Sequence, residues 1–194
     1  MSSLRTDMSD VTRTSMPVPA AHAGHTGREG KTIELRLRTL LDTARLARSL
    51  ARVLAPGGLL VLEGSLGAGK TALVQFIVRA LGVPSDQPVT SPTFEIVHEF
   101  RGRAPIVHAD LYRLAAGEPL EELGLLGHIG GDTVVLVEWG ERFADQLGDS
   151  GLLATLELGA GSERTCALRA RGAPGLRQLE QLFSLVSGTR LARL

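Results

Sequence analysis

Leu59-Leu60-Val61-Leu62-Glu63-Gly64-Ser65-Leu66-Gly67-Ala68-Gly69-Lys70-Thr71 is the stretch from which the rest of the chain is read. Residues 59–62 form an uninterrupted apolar run, the pattern of a short strand buried on both faces. The run leads straight into Gly64, four residues, then Gly69-Lys70-Thr71, the spacing of a phosphate-binding loop. Beyond it, Leu73, Val74, Ile77, Val78 and Leu81 recur on one helical face until Gly82 and Pro84 end the helix. Strand, glycine-rich loop and helix therefore follow in the order that such a loop requires.

The residue types have physical reasons. Gly64, Gly67 and Gly69 let the backbone wrap so that successive N–H groups face a phosphate. Ser65, Leu66, Ala68 and Ala72 supply the remaining main chain of the cradle, and the helix start adds its positive end. Lys70 provides a compact charge for the β- and γ-phosphates, and the Thr71 hydroxyl suits Mg²⁺. A chance match in a chain of this composition is expected about 0.004 times. The only lysines are Lys31 and Lys70, in a protein otherwise supplied with arginine. Arginine's broad planar head would not fit as a point charge inside the loop.

The remaining pattern predicts one α/β domain with a largely parallel central sheet flanked by helices and a C-terminal antiparallel hairpin. Residues 34–38 alternate like an edge strand, and Thr39-Leu40-Leu41-Asp42 has capping-box form before a helix carrying Leu46, Leu50, Val53 and Leu54. Strands are expected at 94–100, 106–109 and 133–137, and a short acidic helix near Pro119. Segments 152–158 and 164–171 flank a Gly-Ala-Gly turn, and Leu176, Leu179, Leu182, Phe183 and Val186 mark a closing amphipathic helix. Residues 1–30, rich in Ser, Thr, Pro, Ala and Gly, read as a disordered N-terminal extension, 31–186 as the folded domain, and 187–194 as a C-terminal tail.

Composition narrows the function. The 194 residues carry no net charge, 21 basic against 21 acidic, which argues against a protein whose main work is gripping nucleic acid through phosphates. A lone cysteine, Cys166, excludes an intrachain disulfide and a Cys-based zinc site and suits a cytoplasmic setting. No apolar run approaches the ~18 residues of a membrane span, and residues 1–30 lack a secretory apolar core. Neutrality hides asymmetry: residues 105–149 hold nine acids against Arg113 and Arg142 alone, while 150–194 is net basic.

A phosphate loop needs a carboxylate on the metal side, usually at the end of a buried strand. Glu138 closes the apolar run 133–137 and Asp110 closes 106–109. The competing roles are a solvated strand-end acid for Glu138 and a cap on the following turn for Asp110. Trp139, the sole tryptophan, would lie on the opposite side of the strand from Glu138 if the strand continued, either in the core or against a ligand.

Four motifs together resemble the bacterial TsaE family, also called YjeE: Gly64–Thr71, Ser91-Pro92-Thr93-Phe94, His108-Ala109-Asp110-Leu111-Tyr112-Arg113-Leu114, and Val137-Glu138-Trp139-Gly140-Glu141-Arg142. The resemblance spans roughly residues 34–170. It implies a small ATPase acting with two partner proteins in threonylcarbamoyl transfer to the adenosine next to the tRNA anticodon, touching tRNA only indirectly. It further implies ATP and Mg²⁺ as cofactors, Thr71 and Glu138 as metal ligands, and Lys70, Asp110 and Glu138 as catalytic residues. Ser91 and Thr93 match a nucleotide-sensing loop, while residues near Arg38 and Leu40, and more loosely Ala160, align with positions near the adenine. Ser65 stands where many relatives carry Asp, and Ala72 where a hydroxyl residue is common; neither change removes a cradle group. Two alternatives are a P-loop small-molecule kinase, for which the arginine-poor 105–149 region is a weak lid, and a nucleotide-controlled assembly switch without hydrolysis.

Overall fold

Two strands with no polar alternation need cover on both faces, and this requirement organises the molecule. The computed structural model describes residues 31–54, 56–90, 96–189 and 191. The expected extension 1–30 and the site candidates Ser91 and Thr93 lie outside these residues. The elements are β1 (Thr32–Leu37), α1 (Leu40–Leu54), β2 (Leu59–Glu63), α2 (Lys70–Ala80), β3 (Val97–Arg101), β4 (Pro105–Asp110), β5 (Val134–Glu138), α3 (Ala144–Leu147), β6 (Gly151–Leu158), β7 (Arg164–Arg171) and α4 (Gly172–Val186).

The sheet runs β1-β7-β6-β2-β5-β4-β3. Its centre, β6-β2-β5-β4, is parallel. The margins are antiparallel: β7 pairs with β6 and β1, and β3 pairs with β4. The α/β architecture and the C-terminal hairpin expected from the sequence are both present, and β1 occupies the predicted edge.

Alternation along β2 and β5 divides the core. Leu60, Leu62, Val134 and Leu136 pack with the apolar faces of α1, α2 and α4. Leu59, Val61, Val135 and Val137 pack on the other face with Val107, Leu111, Leu120, Leu125, Phe143 and Leu147. That second cover comes from α3 and from 3₁₀ turns at Glu121–Leu123, Leu126–His128 and Glu141–Phe143, so the acidic helix expected near Pro119 is replaced by single tight turns. The segment holds glycines at 117, 124, 127, 130 and 131, too many for a continuous helix.

The α1 start follows its capping box. The Asp42 amide donates to Thr39 Oγ1 at 3.2 Å, and the Thr39 amide donates to Asp42 Oδ2 at 3.2 Å. Aspartate thus substitutes for the usual longer acid. In α4, Leu179, Leu182 and Val186 are buried, whereas Leu176 and Phe183 face outward at 39% and 57% exposure. The expected apolar face of α4 was too wide, because this helix meets the sheet and α1 along a narrow stripe. Leu191, beyond α4, also packs into the core.

Candidate functional site

Register places the site. Leu62 of β2 pairs with Glu138 of β5, and Glu138 pairs with Asp110 of β4. Three neighbouring parallel strands therefore end level, and the loop after β2 crosses above them into α2. Ligands of open α/β sheets lie at such carboxyl ends.

The loop's glycines take conformations that other residues rarely adopt. Gly64, Gly67 and Gly69 have φ of +133°, +81° and +104°, and Gly69 is the residue that caps α2. A Cβ on Gly64 would stand 2.1 Å from the Leu156 carbonyl oxygen of β6. Glycine is required there by space as well as by φ.

Lys70 begins α2 and is 4% exposed. Its ammonium donates to the carbonyls of Gly64 at 2.7 Å and Ser65 at 3.0 Å, and lies 3.6 Å from the centre of the Trp139 ring. Burial lowers its pKa from the ordinary lysine value, while the carboxylates of Glu138, Glu63 and Asp110 act in the opposite direction. The side chain is thus folded back onto its own loop and an aromatic face.

Thr71 donates its hydroxyl to Glu138 Oε2 at 2.9 Å. The other carboxylate oxygen, Oε1, lies 3.0 Å from His108 Nε2. Glu138 is 1% exposed, so the alternative of a solvated strand-end acid does not apply. Asp110 accepts a hydrogen bond from the Tyr112 amide at 3.1 Å, which is the turn-capping role foreseen as its alternative, yet it also lines the cleft.

A cleft of about 510 Å³ joins these groups. Leu66, Gly67, Gly69, Lys70, Thr71, Ala72, Asp110, Glu138 and Trp139 all line it, as do Tyr112, Arg113 and Arg164. Gly64 and Ser65 contribute carbonyls to Lys70 instead. Ala68 is fully buried, its methyl in the core and its carbonyl accepting from Arg164 Nε at 2.9 Å.

Trp139 departs from the simple alternation rule. The strand stops at Glu138, and Trp139 has φ +61°, the one positive value among described non-glycine residues. This left-handed turn brings the indole over Lys70 and 5.0 Å from the ring of Tyr112. Backbone conformations of this kind persist at sites where surrounding contacts over-determine them.

Several contributors carried no role in the sequence reading. His108 sits two residues before Asp110 in a quoted motif, and strand alternation alone puts both on one face. Glu63 ends β2 and accepts a hydrogen bond from the Glu141 amide; burial raises its pKa. Arg164 reaches the loop only because β7 pairs back on β6, a contact with no local signal.

The parallel sheet, the glycine loop and the cleft define a P-loop-type protein, a class built to bind nucleotide. The chain belongs to the TsaE family: the family model for "Threonylcarbamoyl adenosine biosynthesis protein TsaE" matches residues 37–166. The protein of Treponema pallidum (strain Nichols) named tRNA threonylcarbamoyladenosine biosynthesis protein TsaE is 36% identical over 127 residues, covering 66% of this chain and 93% of that protein. The protein of the same name from Bacillus subtilis (strain 168) is 35% identical over 142 residues, covering 72% and 87%. The crystal structure of Bacillus subtilis YdiB superposes with a TM-score of 0.68 at 28% identity, covering 81% of this chain and 98% of that one. Among the described residues no helix is long and apolar enough to cross a membrane.

Proposed function

We propose that this chain is a Mg²⁺-dependent ATP-binding and ATP-hydrolysing subunit, required for threonylcarbamoyl modification of the adenosine next to the tRNA anticodon. It acts in the cytoplasm with two partner proteins, which hold the tRNA. The observation that carries the reading is the 2.9 Å contact between Thr71 and Glu138 beside Lys70, in the lining of one cleft.

A magnesium ion suits this donor set. Thr71 and Glu138 offer a hydroxyl and a carboxylate, both hard oxygens, and magnesium commonly takes one or two carboxylates together with phosphate oxygens and water. When bound, it would offset negative charge on the phosphate oxygens. Among the described residues there is no cluster of three or more His, Cys, Asp or Glu side chains that could cage a metal. The substrate's own phosphates would complete the coordination.

The chain's residues then have distinct tasks. The amides of 64–71 and the N-terminal end of α2 hold the phosphates. Lys70 exchanges the carbonyls of Gly64 and Ser65 for phosphate oxygens, acceptors that carry a full charge and so hold the ammonium more strongly than uncharged carbonyls do. Asp110 orients the attacking water, Trp139 flanks the nucleotide, and Ser91 and Thr93 sense it.

Reconstitution with the two partners and tRNA tests this reading, with free phosphate and modified nucleoside followed together. ATP-dependent formation of the nucleoside with phosphate release is expected. Phosphate appearing on a metabolite would favour a kinase. Modification that needs ATP but releases no phosphate would favour an assembly switch, and no effect of this chain would defeat the proposal.

A further inference from the structure

Strand β4 reads Pro105-Ile106-Val107-His108-Ala109-Asp110, and only one polar side chain lies in its interior. His108 is 0% exposed, on the face that Ile106 shares with the main core. A leucine would fill such a position without burying a ring nitrogen. What histidine adds, among the described residues, is one hydrogen bond: Nε2 lies 3.0 Å from Glu138 Oε1. A carboxylate offers only lone pairs, so the proton of this hydrogen bond belongs to Nε2. The other ring nitrogen, Nδ1, has no hydrogen-bond partner among the described residues.

The pairing register makes the contact diagonal. His108 is opposite Leu136, two residues before Glu138 on the neighbouring parallel strand. Glu138 is consequently held at both oxygens by different elements, Oε1 by β4 and Oε2 by Thr71 on α2. The two holds differ in position. Thr71 lines the cleft, whereas His108 does not.

The geometry points to His108 as a positioning residue for the metal-side carboxylate. It anchors Oε1 from the protein interior, so that Oε2, now bonded to Thr71, is the oxygen presented to a divalent cation. A free glutamate would rotate about its terminal bonds and offer either oxygen, or swing away from Thr71. The anchor removes that freedom before the cation arrives. This inference rests on the Mg²⁺-dependent reading above and assigns a role to a residue outside the cleft. Groups that orient a metal's ligands commonly change its affinity or the activity by about 10–100-fold when removed.

Three substitutions separate the hydrogen bond from packing. The His108→Gln amide nitrogen reaches about where Nε2 lies, His108→Asn falls short of Glu138, and His108→Leu keeps the volume without a donor. Binding of a fluorescent ATP analogue is measured in EDTA and then across a Mg²⁺ titration, with phosphate release and thermal melting alongside. Metal-free affinity within about twofold of wild type is expected for all three. The Mg²⁺ concentration at half-effect should rise about tenfold in His108→Asn and His108→Leu and stay within about threefold in His108→Gln. If His108→Leu does not melt cooperatively, the Gln and Asn pair decides. Unchanged Mg²⁺ dependence in His108→Asn would overturn the inference, as would equal losses in Gln and Asn or a parallel loss of metal-free affinity. A wild-type protein indifferent to Mg²⁺ would instead overturn the proposed function itself.

Discussion

Substituting glutamine for Glu138 keeps the length and shape of a side chain that is 1% exposed, and removes its charge. In the native protein both carboxylate oxygens accept, one from the Thr71 hydroxyl and one from His108 Nε2. Glutamine can direct its oxygen at His108 and its NH₂ at Thr71, whose hydroxyl rotates to accept. Two charge-assisted hydrogen bonds become two neutral ones, but the burial of a charge is relieved, so the net loss of stability should be about 1 kcal/mol. Alanine is different. It leaves the buried His108 donor unpaired at about 1–3 kcal/mol, while the Thr71 hydroxyl, which lines the cleft, can turn to water. That is a sizeable share of the 5–15 kcal/mol by which ordinary domains are stable. Hydrolysis should respond in the opposite proportion. Loss of one charged group that acts on the transition state costs about 3–4 kcal/mol, roughly 10²–10³ in rate, and should do so in the glutamine variant already. Phosphate release at saturating ATP and Mg²⁺, measured beside urea unfolding, reads both quantities. Hydrolysis by Glu138→Gln within threefold of wild type would refute the assignment. A glutamine variant as unstable as the alanine one would refute the hydrogen-bond argument.

The fold offers further tests. Gly64→Ala puts a Cβ 2.1 Å from the Leu156 carbonyl oxygen at φ +133°, whereas Gly67→Ala, at φ +81°, meets nothing within 4 Å. Urea midpoints should show a loss of at least about 3 kcal/mol for the first and about 1 kcal/mol for the second; equal losses would dismiss the steric reading. Thr39→Ala removes the acceptor for the Asp42 amide and should destabilise by about 1 kcal/mol, visible as a melting point lowered by about 2–4 °C. The Cys166 thiol is fully buried, and burial pushes its pKa up to about 12. Iodoacetamide at pH 8 should therefore label unfolded protein far faster than native protein. Because the folded value exceeds the unfolded one, this thiol's stabilising contribution is complete below about pH 9 and is lost as pH rises toward 12. At pH 10.5 the alkaline loss of stability in Cys166→Ala should be smaller than in wild type by about 2 kcal/mol.

Much of this architecture was legible because its causes are local. The apolar run of β2, the glycine spacing of 64–71 and the periodicity of α2 specify strand, loop and helix within about twenty residues. The Thr39–Asp42 box is likewise complete in four residues. Where the structure differs from the local pattern, the causes are mixed: glycines within 117–131 break the expected acidic helix, and for α4 neighbours distant in sequence decide. The width of the α4 apolar face depends on how α4 meets β6, β7 and α1, which leaves Phe183 outside. Trp139 leaves its strand because the chain turns left-handed after Glu138, and strand periodicity says nothing of where a strand stops.

By itself, then, the sequence determined that a phosphate loop exists, that Lys70 and Thr71 open its helix, and that two acids close buried strands. Those properties follow from short-range sterics, glycine conformational freedom and the two-residue period of a strand. The tertiary structure decided which groups meet. Glu138 is 67 residues from Thr71 and 30 from His108. The three converge only because β2, β5 and β4 lie side by side in one register, which long-range burial of both faces imposes. The same pairing logic carries Arg164 back across β6 to the Ala68 carbonyl. Local chemistry supplied the parts of the site, and the register of the sheet set the distances between them.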